Sequence, residues 1–195
     1  MTHLTLNEQE ALLTLFKSID TLYNAHTLSK KLCITHVGTQ KLLKRLEEEG
    51  YLISKKIGKA IFYKPSQEER TNLLLEFLLL EEARTNRRWV EEFKDIAPKA
   101  LFLVLFGSIL VNEEKANDID LLVILKGNKS KEVRKAVIEK QSLLPKNLHA
   151  IYLTRDDLQK NLKEGNVAML DAIKNGIVLS GHQEYVEMLK DVASL

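Results

Sequence analysis

LFLVLFGSILVNEEKANDIDLLVIL, residues 101–125, decides the fold of the C-terminal half of this chain. Two apolar runs flank a polar spacer. The first, KALFLVLFGS (99–108), ends on Gly107-Ser108, and the second, DIDLLVILK (118–126), opens with Asp118-Ile119-Asp120. Both runs have strand length and strand composition. In a strand, residues two apart share a face. Asp118 and Asp120 therefore project together, while Ile119 and Leu121 point to the core.

Two like charges this close repel, and a cation between them relieves the repulsion. Hard oxygen donors at this spacing suit Mg²⁺, which draws further ligands from substrate phosphates. Gly107 permits a tight turn with the backbone close to a ligand. Ser108 offers a hydroxyl and the first N–H groups of a following helix, where an anion can bind. Together these features describe a site for a nucleoside triphosphate and its metal.

Outward from this stretch the pattern alternates. Residues 130–141 have helical spacing with Val133, Val137 and Ile138 facing inward. LHAIYLT (148–154) is a third strand. Residues 155–163 and 166–174 are helices, GIVLSG (176–181) is a short extended piece, and HQEYVEMLKDVASL ends the chain as a helix. Such alternation predicts a mixed sheet with helices packed against it.

The arrangement Gly107-Ser108, nine residues, then Asp118-Ile119-Asp120, set between two strands, resembles the minimal nucleotidyltransferases of the DNA polymerase beta superfamily. The resemblance covers roughly residues 98–181. It implies nucleotide binding at Gly107 and Ser108, and metal binding, with catalysis in an active enzyme, at Asp118 and Asp120. The family usually carries a third carboxylate at the start of the next strand. Here His149 stands in that place, and a neutral imidazole binds some transition metals but is a poor Mg²⁺ ligand. Asp156 and Asp157 follow that strand, where capping a helix explains them. The usual arginine and glycine after the serine are replaced by Leu110, Val111 and Asn112. These departures imply a domain with reduced or lost transferase activity, with His149 as a half-buried strand residue.

The N-terminal third has a different character. NEQEALLTLFKSI (7–19) has helical spacing, with Asn7 placed to cap it and Glu10 three residues on. HTLSKKLCI (26–34) is a short helix. THVGTQKLLKRLEEEG (35–50) is a longer one, capped by Thr35 and stopped by Gly50, with Val37, Leu42, Leu43 and Leu46 inward. Cys33 between them has the character of a core residue. YLISKKIGKAIFYKPS (51–66) then changes period to two strands, Tyr51 to Ser54 and Ala60 to Lys64, with Lys55, Lys56, Gly58 and Lys59 in the turn.

Residues 5–66 resemble the winged helix-turn-helix domains of bacterial and archaeal transcription regulators. That resemblance implies double-stranded DNA as a partner, with the 35–48 helix in the major groove. His36, Thr39 and Gln40 would reach base edges, with Lys41, Lys44 and Arg45 alongside. Lys55, Lys56 and Lys59 would hold phosphates. Charge agrees: residues 1–66 carry ten Lys/Arg against six Asp/Glu in a chain whose net charge is only +2.

SQEERTNLLLEFLLLEEARTNRRWVEEFKD (66–95) contains no helix breaker and predicts one long helix capped by Ser66. Leu73, Leu74, Phe77, Leu78, Leu80, Trp89 and Phe93 cover more than a narrow stripe. A second copy of the chain is the expected partner, since DNA readers of this type pair their recognition helices by two-fold symmetry.

The expectation is thus an α+β chain in three parts. Residues 1–66 are a winged helix-turn-helix, 67–97 a connecting and dimerisation helix, and 98–195 a nucleotidyltransferase-like mixed sheet. It would act as a homodimeric DNA-binding transcription regulator whose degenerate transferase-like domain senses a nucleotide. The alternative is an active Mg²⁺-dependent nucleotidyltransferase that modifies a protein or small molecule, including as one member of a toxin–antitoxin pair. The single cysteine allows no internal disulfide, and no apolar run approaches the roughly 20 residues of a membrane helix. With no signal-peptide pattern at Met1, a cytoplasmic location is expected.

Overall fold

The computed structural model describes residues 4–127 and 129–193. It is an α+β architecture that divides into two compact units between Leu78 and Leu79.

The first unit begins with α1 (Leu6–Lys17). Its cap is Thr5, two residues before the expected Asn7. The Thr5 hydroxyl accepts from the Glu8 N–H, and the Glu8 carboxylate accepts from the Thr5 N–H at 2.7 Å. Leu12, Leu15 and Phe16 are buried, as their spacing requires. Two more helices follow, α2 (Ala25–Lys31) and α3 (His36–Glu48). Thr35 caps α3 by accepting from the Gly38 N–H at 3.1 Å. The inward face of α3 is Thr39, Leu42, Leu43 and Leu46. Val37, expected to face inward, is 60% exposed instead. Cys33, expected in the core, is exposed with φ +55, at the turn between α2 and α3.

Three antiparallel strands complete the unit: β1 (Tyr23–Asn24), β2 (Leu52–Ile57) and β3 (Ala60–Pro65), in the order β1-β3-β2. β2 runs three residues further than the sequence indicated. Ile57 pairs with Ala60, so only Gly58 and Lys59 form the turn, and Gly58 takes the left-handed conformation (φ +61) that two-residue hairpins demand. Lys55 and Lys56 therefore lie within the strand, on opposite faces.

The helix expected over 66–95 is two helices, α4 (Glu69–Thr85) and α5 (Arg87–Glu92). Asn86 breaks it at φ −112, ψ 33, and its side-chain amide donates to the Glu82 carbonyl at 3.0 Å. Ser66 does not begin α4. It is buried, with its hydroxyl 2.9 Å from that of Thr71. On α4, Leu75, Leu78 and Leu79 are buried, whereas Leu73, Phe77 and Leu80 are exposed.

In the second unit, β4 (Ala100–Phe106), β5 (Asp118–Leu125), α6 (Ser130–Gln141), β6 (Asn147–Leu153), α7 (Arg155–Lys163), α8 (Val167–Asn175), β7 (Ile177–Ser180) and α9 (His182–Ala193) follow in order. The sheet order is β6-β5-β4-β7. β5 and β6 are parallel, joined through α6, while β4 pairs antiparallel with both β5 and β7. A core cluster gathers Leu103, Leu105, Leu121 and Val123 from the strands, Val133, Ala136 and Val137 from α6, and Trp89 and Phe93. Ile138, expected inward on α6, is 70% exposed. Tyr185 of α9 stands edge-on to Phe102, and its buried hydroxyl donates to the Ile173 carbonyl. The last residues of the expected terminal helix, 194 and 195, lie outside the described residues. No described helix is long and apolar enough to cross a membrane.

A candidate metal centre at the end of the sheet

Strand alternation places the two aspartates as the sequence predicts. Ile119 and Leu121 are buried in the core cluster, so Asp118 and Asp120 leave β5 on the opposite face, half-buried. The third member comes from the neighbouring strand. The parallel ladder sets His149 of β6 level with Asp120. Its Nδ1 lies 3.2 Å from Asp118 Oδ2 and 3.7 Å from Asp120 Oδ1. One donor atom from each of the three residues falls within 4.8 Å of the others. Two carboxylate oxygens and an imidazole nitrogen at this separation can chelate a divalent metal ion. His149 is therefore no half-buried strand residue: its side chain is 60% exposed and turned to the aspartates.

The electrostatics carry the mark of this crowding. Burial pushes the Asp120 carboxyl above its ordinary value, and the neighbouring Asp118 charge pushes in the same direction. His149 opposes both, through its charge and its hydrogen bond.

Gly107 ends β4 with φ +83 and ψ −162, a conformation open to glycine and strained for other residues. Its missing side chain serves Asp120 directly, because a Cβ there would meet the carboxylate. Ser108 is exposed. The α-helix expected after it is a single 3₁₀ turn, Ser108–Leu110, so a long helix N-terminus is not part of this site. Asp157 caps α7 in a capping box with Thr154, as the sequence indicated, and takes no part in the cluster.

The residues expected to contact DNA separate into two groups. His36, Gln40, Lys41 and Lys44 are exposed along α3. His36, Gln40 and Lys59 line one cleft of about 330 Å³, together with Asn24, His26 and Tyr63. Lys56 pairs with Ile61 in the hairpin and so shares the face of that cleft-lining residue, whereas Lys55 pairs with Phe62 on the other face. Thr39 and Arg45 do not join them. Thr39 is fully buried and its hydroxyl donates to the Thr35 carbonyl at 3.0 Å. Arg45 bridges the buried Glu8 and Glu49, each at 3.0 Å, which ties α3 to α1.

The family resemblance had already put His149 in the place of the third carboxylate. What brings it to the aspartates is topological: a strand–helix–strand crossover puts β6 parallel to β5, and the ladder then sets the register.

Residues 87–175 match the model of the nucleotidyltransferase domain family. No curated protein and no solved structure gives a match to the chain.

Proposed function

We propose that the second unit is a metal-dependent nucleotidyltransferase, attached to a winged helix-turn-helix that brings it to double-stranded DNA. This reading favours an active enzyme over a degenerate sensor. The observation that carries it is the convergence of Asp118, Asp120 and His149 beside the Gly107-Ser108 turn, inside the segment that matches the nucleotidyltransferase domain.

In this reading the chain's own groups divide the work. Gly107 and Ser108 hold the triphosphate, and the space left by the glycine keeps Asp120 aimed at it. Asp118, Asp120 and His149 hold the divalent ion. When bound, that ion polarises the phosphates and lowers the pKa of an attacking hydroxyl. The acceptor oxygen bonds to the α-phosphorus as the bridging oxygen leaves with pyrophosphate, and the hydroxyl proton passes to water. The acceptor is a hydroxyl of a protein or small molecule, and a toxin–antitoxin partner is one such protein.

The test is label transfer from an α-labelled triphosphate, with cell extract as the source of acceptors and Mg²⁺ or Mn²⁺ supplied. Transfer by the wild-type chain that Asp118→Ala removes supports the proposal. Tight metal–triphosphate binding with no transfer to any acceptor overturns the enzyme and leaves a nucleotide sensor.

The regulator reading rests on a separate observation, the exposed His36, Gln40 and Lys59 around one cleft of the first unit. Residues 1–66 are the DNA reader in this scheme, and the transferase is the second unit from Leu79 onward, which takes Trp89 and Phe93 into its core, so the connecting segment shortens from 67–97 to 67–78. Leu73, Phe77 and Leu80 recur at helical spacing on α4 with their side chains in solvent, and a second copy of the chain covers them. Duplex binding measured against salt tests the reader, since phosphate contacts release counterions. A chain that ignores duplex DNA at low salt has no such reader.

A further inference from the structure

Metal-dependent transfer leaves the identity of the ion open, and the donor set bears on it. We infer that this site selects a first-row transition ion in place of Mg²⁺ through direct ligation by His149 Nδ1; Mn²⁺, the weakest binder of that series, is the spectroscopic probe and so the most demanding case. This inference rests on the nucleotidyltransferase reading and deepens it.

Three observations carry it. The first is donor chemistry. Mg²⁺ prefers an all-oxygen shell with near-ideal octahedral geometry, while first-row transition ions accept imidazole nitrogen readily. Among the described residues, the cluster contains two carboxylates and one imidazole, and no third carboxylate.

The second is geometry. Ligands at right angles around an ion with bonds of about 2.1 Å lie about 3 Å apart. The His149 Nδ1 separations of 3.2 and 3.7 Å from the aspartate oxygens are already close to that spacing. All three donors lie within 4.8 Å of one another, so rotation of the two carboxylates brings them onto one face of an octahedron, leaving the opposite face for phosphate oxygens and water.

The third is placement. His149 is held by the β5–β6 ladder rather than by a loop, in register with Asp120. Its neighbours Leu148 and Ala150 pack against the core cluster, so strand alternation commits the imidazole to the aspartate face. A histidine that merely neutralised the aspartates as a salt bridge would explain the short contacts too. Only a nitrogen bonded to the ion predicts metal selectivity.

The experiment uses the full chain and the ion alone. Mn²⁺ is titrated by the loss of the free-ion EPR signal, with Mg²⁺ as competitor. Pulsed EPR then looks for coupling to a directly bound nitrogen. The expected result is one imidazole nitrogen on the ion, lost in His149→Ala together with about tenfold or more in Mn²⁺ affinity. His149→Asp should lower the preference for Mn²⁺ over Mg²⁺ by about tenfold. The wild-type spectrum decides even if a variant folds poorly. Absence of nitrogen coupling, or an unchanged preference in folded His149→Asp, overturns the inference and leaves transfer through oxygen-bound metal intact. Binding of neither ion, alone or with triphosphate, overturns both.

Discussion

Gly107 and Asp120 occupy each other's space: a Cβ placed on Gly107 would stand 2.2 Å from Asp120 Oδ2. No real side chain tolerates such an approach, and the φ of +83 adds backbone strain for any residue but glycine. The glycine therefore sets the position of the Asp120 carboxylate, which is a metal ligand in the proposed reading. Gly107→Ala should cost about 1–3 kcal/mol of stability. It should also weaken Mn²⁺ binding by about tenfold, because the carboxylate must turn away. Thermal melts and metal titration on the same sample check both effects. Unchanged metal affinity would show that Asp120 is not held by this contact.

Asp120 also predicts a tension between stability and function. Its folded pKa lies above the unfolded value, so the protonated form is favoured by the fold. That contribution is complete at low pH and is lost as pH rises through the raised value. At neutral pH the ionised carboxylate is a liability in the metal-free chain. Asp120→Asn should therefore raise the melting temperature at pH 7 and leave it nearly unchanged near pH 3, while abolishing metal binding. A lower melting temperature at pH 7 would contradict the assignment. Asp118→Asn removes the adjacent charge and should bring the Asp120 titration down, read by carboxyl-carbon NMR.

Where the sequence was informative, one dominant local constraint was at work. The period of two in DIDLLVIL placed Asp118 and Asp120 on one face, because burial of Ile119 and Leu121 allows no other register. Gly107-Ser108 marked the strand end through the glycine's conformational freedom. The failures arose where tertiary context overrode residue type. Thr39 is polar and looked exposed. Yet it lies three and four residues before Leu42 and Leu43 on the buried face, and the Thr35 carbonyl satisfies its hydroxyl. Arg45 looked like a DNA contact because Glu8 is distant in sequence. The break at Asn86 carried no proline or glycine to announce it. The place of His149 was legible from the family pattern, but that its imidazole turns to the aspartates needed the β5–β6 register, which is a property of the pair rather than of either strand.

The hairpin register divides the three lysines that sequence alone treated alike. Lys56 and Lys59 belong with the helix-facing side of the hairpin, and Lys55 with the other. Lys56→Ala with Lys59→Ala should weaken binding to all duplexes and reduce the slope of log affinity against log salt by about 0.9 per lost phosphate contact. Lys55→Ala should change it less. Fluorescence anisotropy over a salt series measures this, and an equal effect of all three would reject the division.

Thr39 and Gln40 are adjacent in sequence and should behave differently. Thr39→Val keeps the volume and loses an internal hydrogen bond, so it should cost about 1 kcal/mol of stability and leave DNA preference unchanged. Gln40→Ala should leave stability within about 0.5 kcal/mol and alter the preferred duplex sequence. Selection from a randomised duplex pool distinguishes them.

Phe77 tests the dimer. Phe77→Glu places a charge among Leu73 and Leu80 on the exposed stripe of α4. Sedimentation should then show a chain of single mass where the wild type sediments at twice that value. A wild-type chain that is already single at micromolar concentration would remove α4 as a self-association surface.

Cys33 is the chain's sole thiol, and it sits in solvent at the turn leading into α3. One maleimide dye would attach there without any engineered substitution, three residues before His36. The protein thus comes with its own reporter position beside the helix proposed to read DNA. For the same reason, storage without a reductant would let two chains crosslink through that turn and pass for a native dimer on a sizing column.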